Sequence, residues 1–172
     1  MYAYCLFCQT TRCASVARTL EKLGATRAFS PRLIQHARVL GKTVQVQRDL
    51  LPGYVFAYGE EPLPAELLSR PVDGLIRRLG DADRLYQLEG ADLAFALKLY
   101  AQDGMIGVVR LFREGEAVRI QDPLFASMQG KVLRVDGRKQ RAQIEFTFDH
   151  TTHRLWVACE RLEKAAPPPT VP

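Results

Sequence analysis

The order of apolar and polar positions at the start of the chain predicts a strand followed by a helix. Residues 2–8 are dense in aromatic and β-tolerant side chains, which is typical of a buried strand. Apolar residues then recur at helical spacing from Cys13 to Leu23, and Gly24 is placed to end the helix. A strand that leads into a helix is the opening of an α/β or α+β domain.

The pattern continues to residue 100 with more strands than helices. Short runs of β-formers predict a strand at 25–29, a projecting hairpin at 39–46 around Gly41-Lys42, an apolar strand at 54–58 after Pro52-Gly53, and a strand at 74–79. Helical spacing predicts a short helix at 64–69 and a longer one at 91–100. The first 100 residues therefore have the elements of an α+β domain.

The pattern changes in kind after residue 100. It lapses at 101–113 around Asp103-Gly104 and Gly107, which predicts a linker. Four segments rich in β-formers follow at 118–120, 131–135, 142–148 and 155–158, and they predict a small all-β barrel within residues 114–163. The proline-rich end, residues 164–172, is predicted to be a disordered tail.

The composition adds one local feature, a cluster of basic residues. The chain has 172 residues, 47% of them hydrophobic, and a net charge of +5 that would attract polyanions only weakly if it were evenly spread. Residues 131–141, however, contain five cations and only one carboxylate, Asp136, so this segment has a net charge of +4. No apolar run approaches the roughly 20 residues that span a bilayer, so we expect a cytoplasmic protein with no membrane partner.

The cysteines and histidines do not form a recognisable catalytic or metal motif. Cys5 and Cys8 have the spacing of a zinc or redox pair, but no second pair is placed to complete a metal site, and we expect buried, reduced thiols. His150 and His153 lie near Asp149 without a nucleophile motif, a phosphate-binding glycine loop or an H-E-x-x-H pattern. We therefore expect a protein without enzymatic activity, cofactor or metal.

Two stretches of the chain carry a resemblance to one family. Leu51-Pro52-Gly53-Tyr54-Val55-Phe56 resembles the Phe-Pro-Gly-Tyr-Val turn and strand of the NusG family of bacterial transcription-elongation factors, except that Leu51 stands where many relatives have an aromatic residue. Gly115-Glu116, Asp122-Pro123-Leu124-Phe125 and Gly130-Lys131-Val132 are similar to the KOW motif of the same family. Within the family, Asp122-Pro123-Leu124-Phe125 and the basic segment 135–142 resemble the specialised antiterminators of the LoaP type.

The resemblance implies a fold and a set of partners. The fold is an NGN domain over residues 1–100, with a four-stranded antiparallel sheet flanked by helices, followed by an SH3-like β-barrel, the KOW domain. The implied function is transcription elongation or antitermination by a monomer, through contact with the clamp coiled coil of RNA polymerase. The residues carried over by position to that contact are Phe7, Leu51, Pro52, Tyr54 and Ile76.

The second domain would then contact nascent RNA, such as a hairpin, or a ribosomal or termination-factor protein. The residues expected at RNA phosphates are Lys131, Arg134, Arg138, Lys139 and Arg141. A solvated charged turn without a partner is the simpler interpretation of these cations. Core packing is likewise the simpler interpretation of the five apolar residues expected at polymerase. The alternative functions are a general RNA-binding or ribosome-associated KOW module, and a small enzyme on an α/β scaffold.

Overall fold

The computed structural model describes residues 1–65, 71–114, 117–160 and 163–164. It is a mixed α+β structure, built mostly of strands in several sheets with few helices. We refer to residues 1–107 as the first half and to residues 108–164 as the second half. The strands of the first half are β1 (Tyr2–Cys8), β2 (Arg27–Phe29), β3 (Arg32–Val39), β4 (Lys42–Asp49), β5 (Tyr54–Gly59), β6 (Leu75–Arg78) and β7 (Met105–Ile106). The α-helices described there are α1 (Cys13–Lys22) and α2 (Gly90–Ala101).

The central sheet of the first half is antiparallel and has the strand order β2-β5-β1-β6. All residues of β5 are buried, because both faces of the sheet are covered and neither faces water. Val16 and Leu20 of α1 lie in the cluster on one face, whereas Phe95 of α2 lies in the cluster on the other. The structure confirms the strands predicted at 2–8, 25–29, 54–58 and 74–79 and the helices predicted at 13–23 and 91–100.

The predicted hairpin at 39–46 is confirmed and is longer than predicted, since β3 and β4 pair over eight residues each. Its turn is Leu40-Gly41, and both residues have positive φ angles, 49° and 79°, as a two-residue turn that matches the strand twist requires. β3 also pairs with β7 in parallel through Arg32 and Leu33. The segment predicted as a linker thus contributes a strand to this sheet.

The second half contains every strand that the sequence predicts there. Its strands are β8 (Leu111–Glu114), β9 (Ala117–Ile120), β10 (Lys131–Asp136), β11 (Arg141–Phe148), β12 (Thr151–Ala158) and β13 (Glu163–Lys164). They form two sheets, β13-β8-β9 and β10-β11-β12, and hydrogen bonds do not join these into a closed barrel among the residues described.

A short helix that the sequence pattern did not predict, α3 (Pro123–Ser127), separates β9 from β10. Asp122 caps it, because its Oδ1 accepts hydrogen bonds from the backbone N–H groups of Leu124 (2.8 Å) and Phe125 (3.4 Å). Pro123 occupies the first turn, where its missing N–H costs no hydrogen bond. The cap therefore interrupts the strand pattern between the two sheets.

One hydrophobic core runs through both halves. Phe95 of α2 lies at its centre, with ring centroids 6.1 Å from Phe56, 5.9 Å from Phe146 and 5.2 Å from Phe148. Lys98 extends the contact, since its Nζ donates to the carbonyl of Pro123 over 2.7 Å. The helix α2 thus joins the first-half sheet to the strands and helix of the second half.

Some predictions fall outside the described residues. The helix predicted at 64–69 lies outside the described residues from residue 66 onward. Gly115-Glu116 of the KOW-like motif also lie outside them. Of the tail predicted at 164–172, only Lys164 is described, and it ends β13. In the described part of the chain, no helix is both long and apolar enough to cross a membrane.

Candidate functional sites

The turn at Pro52-Gly53 brings Phe7 and Tyr54 together on the first-half sheet. The two residues are opposite each other in β1 and β5, and their rings meet edge to face with centroids 5.1 Å apart. Gly53 has φ +88°, and a Cβ atom there would lie 2.8 Å from Cε2 of Phe7. Only glycine therefore fits this turn without strain and leaves room for the Phe7 ring.

The five apolar residues predicted to contact polymerase differ in exposure. Pro52 is exposed, Phe7 is partly exposed, and Ile76 of β6 is 57% exposed. Leu51 is only 1% exposed and belongs to the shared core. The residues that can offer apolar surface are thus Phe7, Pro52 and Ile76, whereas Leu51 is buried in the core.

Tyr54 is covered by the second half. Its ring lies 5.8 Å from that of Phe148 and 5.9 Å from that of His153, both edge to face. These two residues belong to the β11–β12 hairpin, which packs onto the first-half sheet beside Phe7. The sequence predicts an apolar depression at Tyr54, and in this structure side chains of the same protein occupy that position.

An ion pair holds the tip of the same hairpin. Asp149 and His150 both have positive φ angles and form its two-residue turn, from which Asp149 reaches Arg77 of β6. The distance from Arg77 Nη2 to Asp149 Oδ2 is 2.5 Å, and this hydrogen bond raises the pKa of Arg77. The ion pair and the aromatic contacts of Tyr54 therefore hold the same two elements together.

Two titratable groups near this contact have shifted pKa values. Burial lowers the pKa of His153, whose ring also stacks on Phe146 at 5.4 Å and whose Nε2 is buried without a hydrogen-bond partner. Burial likewise raises the pKa of Tyr54. Both shifts favour the neutral form, as desolvation dictates.

The predicted RNA-binding residues Lys131 and Arg134 are exposed and lie on one face of the β10–β11 pair. Three residues apart, they would point to opposite faces of a regular strand. A register shift between Val132 and Arg134 corrects this, because Lys131 is opposite Glu145 and Arg134 is opposite Gln143, two positions on the same face of β11. The register shift thus brings Lys131 and Arg134, which are close in the sequence, to the same face of the strand pair.

The remaining basic residues divide into two kinds. Arg138 and Lys139, which we call the basic turn, are exposed between β10 and β11. Arg141 is instead held by the protein, since its Nε lies 3.4 Å from Asp136 Oδ2 and its guanidinium lies 4.2 Å from the ring centroid of Trp156. Arg141 is therefore less available to a phosphate than the sequence suggests.

Sequence reasoning missed Trp156 and the contact beside it. Gln35 of β3 donates from Nε2 to the carbonyl of Trp156 over 2.7 Å, across 121 positions of sequence. Nδ1 of His36 lies 3.0 Å from the carbonyl oxygen of Gln140. Partners so far apart in the chain leave no local pattern, and the sequence held no signal for this contact.

The thiols do not form a metal pair. Cys5 and Cys8 point to opposite faces of the first-half sheet and belong to different core clusters. Burial raises the pKa of Cys8 to about 12, so this thiol stays protonated at neutral pH. Within the described ranges, no group of three or more His, Cys, Asp or Glu side chains is placed to hold a metal ion.

Comparison with known proteins gives no relative, since no family model and no curated protein matches the chain.

Proposed function

We propose that the chain is a non-enzymatic transcription elongation or antitermination factor of the NusG type, close to the LoaP antiterminators. Its first half acts as an NGN domain that binds the clamp coiled coil of RNA polymerase and suppresses pausing or termination. Its second half acts as a KOW domain of the SH3-like barrel type and contacts nascent RNA or a partner protein. The sequence motifs and the antiparallel order β2-β5-β1-β6 support this proposal.

One observation carries the proposal, the apolar face that the Pro52-Gly53 turn creates. Phe7 packs against this turn and Pro52 is exposed on it, while Ile76 is exposed on the neighbouring strand β6, at the register shift between Leu75 opposite Cys8 and Arg77 opposite Phe7. A few apolar side chains of this kind usually dominate the binding energy at a protein interface. An apolar coiled-coil tip fits such a face.

Full engagement of this face requires the second half to move. Phe148 and His153 cover the ring of Tyr54, so a partner can reach Tyr54 only when the β11–β12 hairpin leaves. Any free energy that holds the hairpin in place is subtracted from the affinity for polymerase. The protein with the hairpin in place would therefore bind less tightly than the protein from whose face the hairpin has moved away.

The test is retention of the full chain on immobilised core RNA polymerase. Ile76→Asp places a charge in the contact and should lower the affinity at least about tenfold, because an unpaired carboxylate would be desolvated there. The matched control is Leu85→Asp, which changes an apolar residue of the same half that is 44% exposed and lies outside the proposed face. Equal binding by the two folded variants would overturn the proposal.

A second candidate function is a general RNA-binding or ribosome-associated module. The exposed basic turn, Arg138 and Lys139, favours it. If this second candidate is correct, the chain should bind RNA and should not be retained on RNA polymerase. The same experiment, repeated with ribosomal subunits in place of polymerase, separates the two.

A further inference from the structure

The two basic hairpins of the chain meet at one place. β3 pairs with β4 along one edge. Along its other edge, β3 pairs with β7 only through its first two residues, Arg32 and Leu33. Beyond them β3 approaches the second half, where Gln35 and His36 contact the carbonyl groups of Trp156 and Gln140. Gln140 directly follows the basic turn, so the β3–β4 hairpin of the first half lies beside it.

Exposed cations extend from this meeting point on both hairpins. Side chains alternate along a strand, so Arg38 shares the face of His36, which is directed at Gln140. Lys42 is exposed as well, but it is opposite Val39, so it projects from the other face of the hairpin. The cations on the side of His36 are thus Arg38 and the two residues of the basic turn, and among the described residues none of their side-chain nitrogens forms an ion pair with a carboxylate.

A group of unpaired like charges is a site for a polyanion. The cations repel each other in the free protein, and phosphates that neutralise them release bound counterions. Two other arginines of these strands are paired, Arg32 with Asp49 at 3.9 Å and Arg154 with Glu145 at 2.6 Å. Arg38, Arg138 and Lys139 have no such ion pair among the described residues, so their side chains are available to phosphates.

The Arg141–Trp156 pair adds a planar group beside the cations. Trp156 is partly exposed, and the guanidinium of Arg141 lies over its ring. Unpaired bases stack on aromatic rings and on guanidinium planes, whereas the bases of a duplex are already stacked on each other. A surface that offers both phosphate contacts and a stacking plane fits a single strand better than a duplex.

We propose that the β3–β4 hairpin and the basic turn form one binding surface for single-stranded RNA across both halves of the chain. Arg38, Arg138 and Lys139 contact phosphates, and a base stacks at the Arg141–Trp156 pair. This rests on the proposed function for the choice of RNA, and it extends the RNA site into the first half. Polymerase retention and RNA binding are separate measurements, so the two proposals can fail separately.

The test uses the full chain and a single-stranded RNA of about 20 nucleotides without secondary structure, titrated at several salt concentrations. The test variants are Arg38→Gln in the first half and Arg138→Gln with Lys139→Gln in the second. The controls, Arg18→Gln alone and Arg18→Gln with Lys22→Gln, remove the same numbers of exposed charges from α1 on the far face of the sheet. Arg38→Gln should weaken binding about threefold and flatten the plot of log affinity against log salt by about 0.7, the second-half pair should do so about tenfold and by about 1.4, and the controls should change neither.

Trp156 provides an independent readout, because it is the single tryptophan of the chain. RNA binding to the unmodified protein should quench its fluorescence, as stacking of a base on the ring would. Trp156→Phe keeps an aromatic ring and should retain most of the affinity for RNA. Trp156→Ala should bind RNA more weakly, with an unchanged slope of log affinity against log salt. Unquenched fluorescence at saturating RNA would overturn the stacking contact.

The outcomes distinguish this proposal from the proposed function. If the second-half pair loses RNA binding and Arg38→Gln behaves as its control does, the composite surface is wrong and RNA contact by the KOW-like half stands. If RNA duplex or DNA duplex binds as tightly as the single strand, the assignment to single-stranded RNA is wrong. If the unmodified chain binds no RNA, this proposal fails while retention on polymerase still tests the first-half function.

Discussion

Tyr54 of β5 and Phe148 of β11 meet edge to face, with ring centroids 5.8 Å apart, although the residues belong to opposite halves of the chain. Tyr54 also contacts Phe7, the residue expected at polymerase. The same ring therefore takes part in the contact between the halves and in the candidate binding face. These two uses exclude each other, because a partner at Tyr54 must displace Phe148.

Loss of the Arg77–Asp149 ion pair should open the binding face. Asp149→Asn removes the charge and keeps a residue that tolerates the positive φ of the turn. Arg77 is 52% exposed, so the ion pair contributes at most about 1 kcal/mol, and polymerase affinity should rise by up to about fivefold. The measurement is binding of labelled full chain to core RNA polymerase.

The control for this variant is Glu145→Gln, which removes the ion pair with Arg154 inside the second half. It should leave polymerase affinity unchanged, because both partners lie on the same sheet. A rise for both variants would show that surface charge, and not opening, is responsible.

His153 should make the stability of the protein fall in mild acid. Burial lowers its pKa in the folded state, so the unfolded chain binds a proton at its ordinary pKa of 6.5 while the folded chain still resists protonation. The unfolded state then binds more protons, and the free energy of unfolding decreases as the pH falls below 6.5. Denaturant unfolding at about pH 7.5 and about pH 5 should show this loss.

His153→Phe should reduce that pH dependence, because phenylalanine keeps an aromatic ring between Tyr54 and Phe146 but has no titratable group. His150→Gln is the matched control, since His150 is an exposed histidine of the same hairpin. An undiminished pH dependence in His153→Phe would assign the effect to other groups.

Phe95→Ala should destabilise both halves at once. The ring contacts Phe56 in the first half and Phe146 and Phe148 in the second, and its removal leaves a cavity between them. The expected cost is about 3–5 kcal/mol, with one unfolding transition that keeps its cooperativity. Calorimetry checks this, and two separate transitions in the unmodified chain would contradict the shared core.

Gly53→Ala should distort the candidate polymerase face. The new Cβ would lie 2.8 Å from Cε2 of Phe7 at a φ of +88°, so we expect a loss of about 1–3 kcal/mol and weaker polymerase binding. Gly137→Ala is the control, because a Cβ there meets no atom within 4 Å. Thermal unfolding of the two variants gives the comparison, and equal melting temperatures would argue against a strained turn.

The sequence by itself determined the local elements of this protein. The buried strands β1 and β5, the helix α1 and the β3–β4 hairpin follow from apolar spacing and turn residues that act within about ten positions. The α+β class and the strands of the second half follow in the same way. The sequence also located the basic cluster, because charge is a property of each residue.

Only the tertiary structure decided how these elements meet. The register shift between Val132 and Arg134, which places Lys131 and Arg134 on one face, depends on the pairing with β11, and sequence spacing does not encode that pairing. The cover of Tyr54 by Phe148 depends on packing across more than 90 positions of the chain, as the contact of Gln35 with Trp156 does across 121. Such contacts are selected by the complementary shape and charge of whole surfaces, so neither partner carries a local pattern that predicts the other.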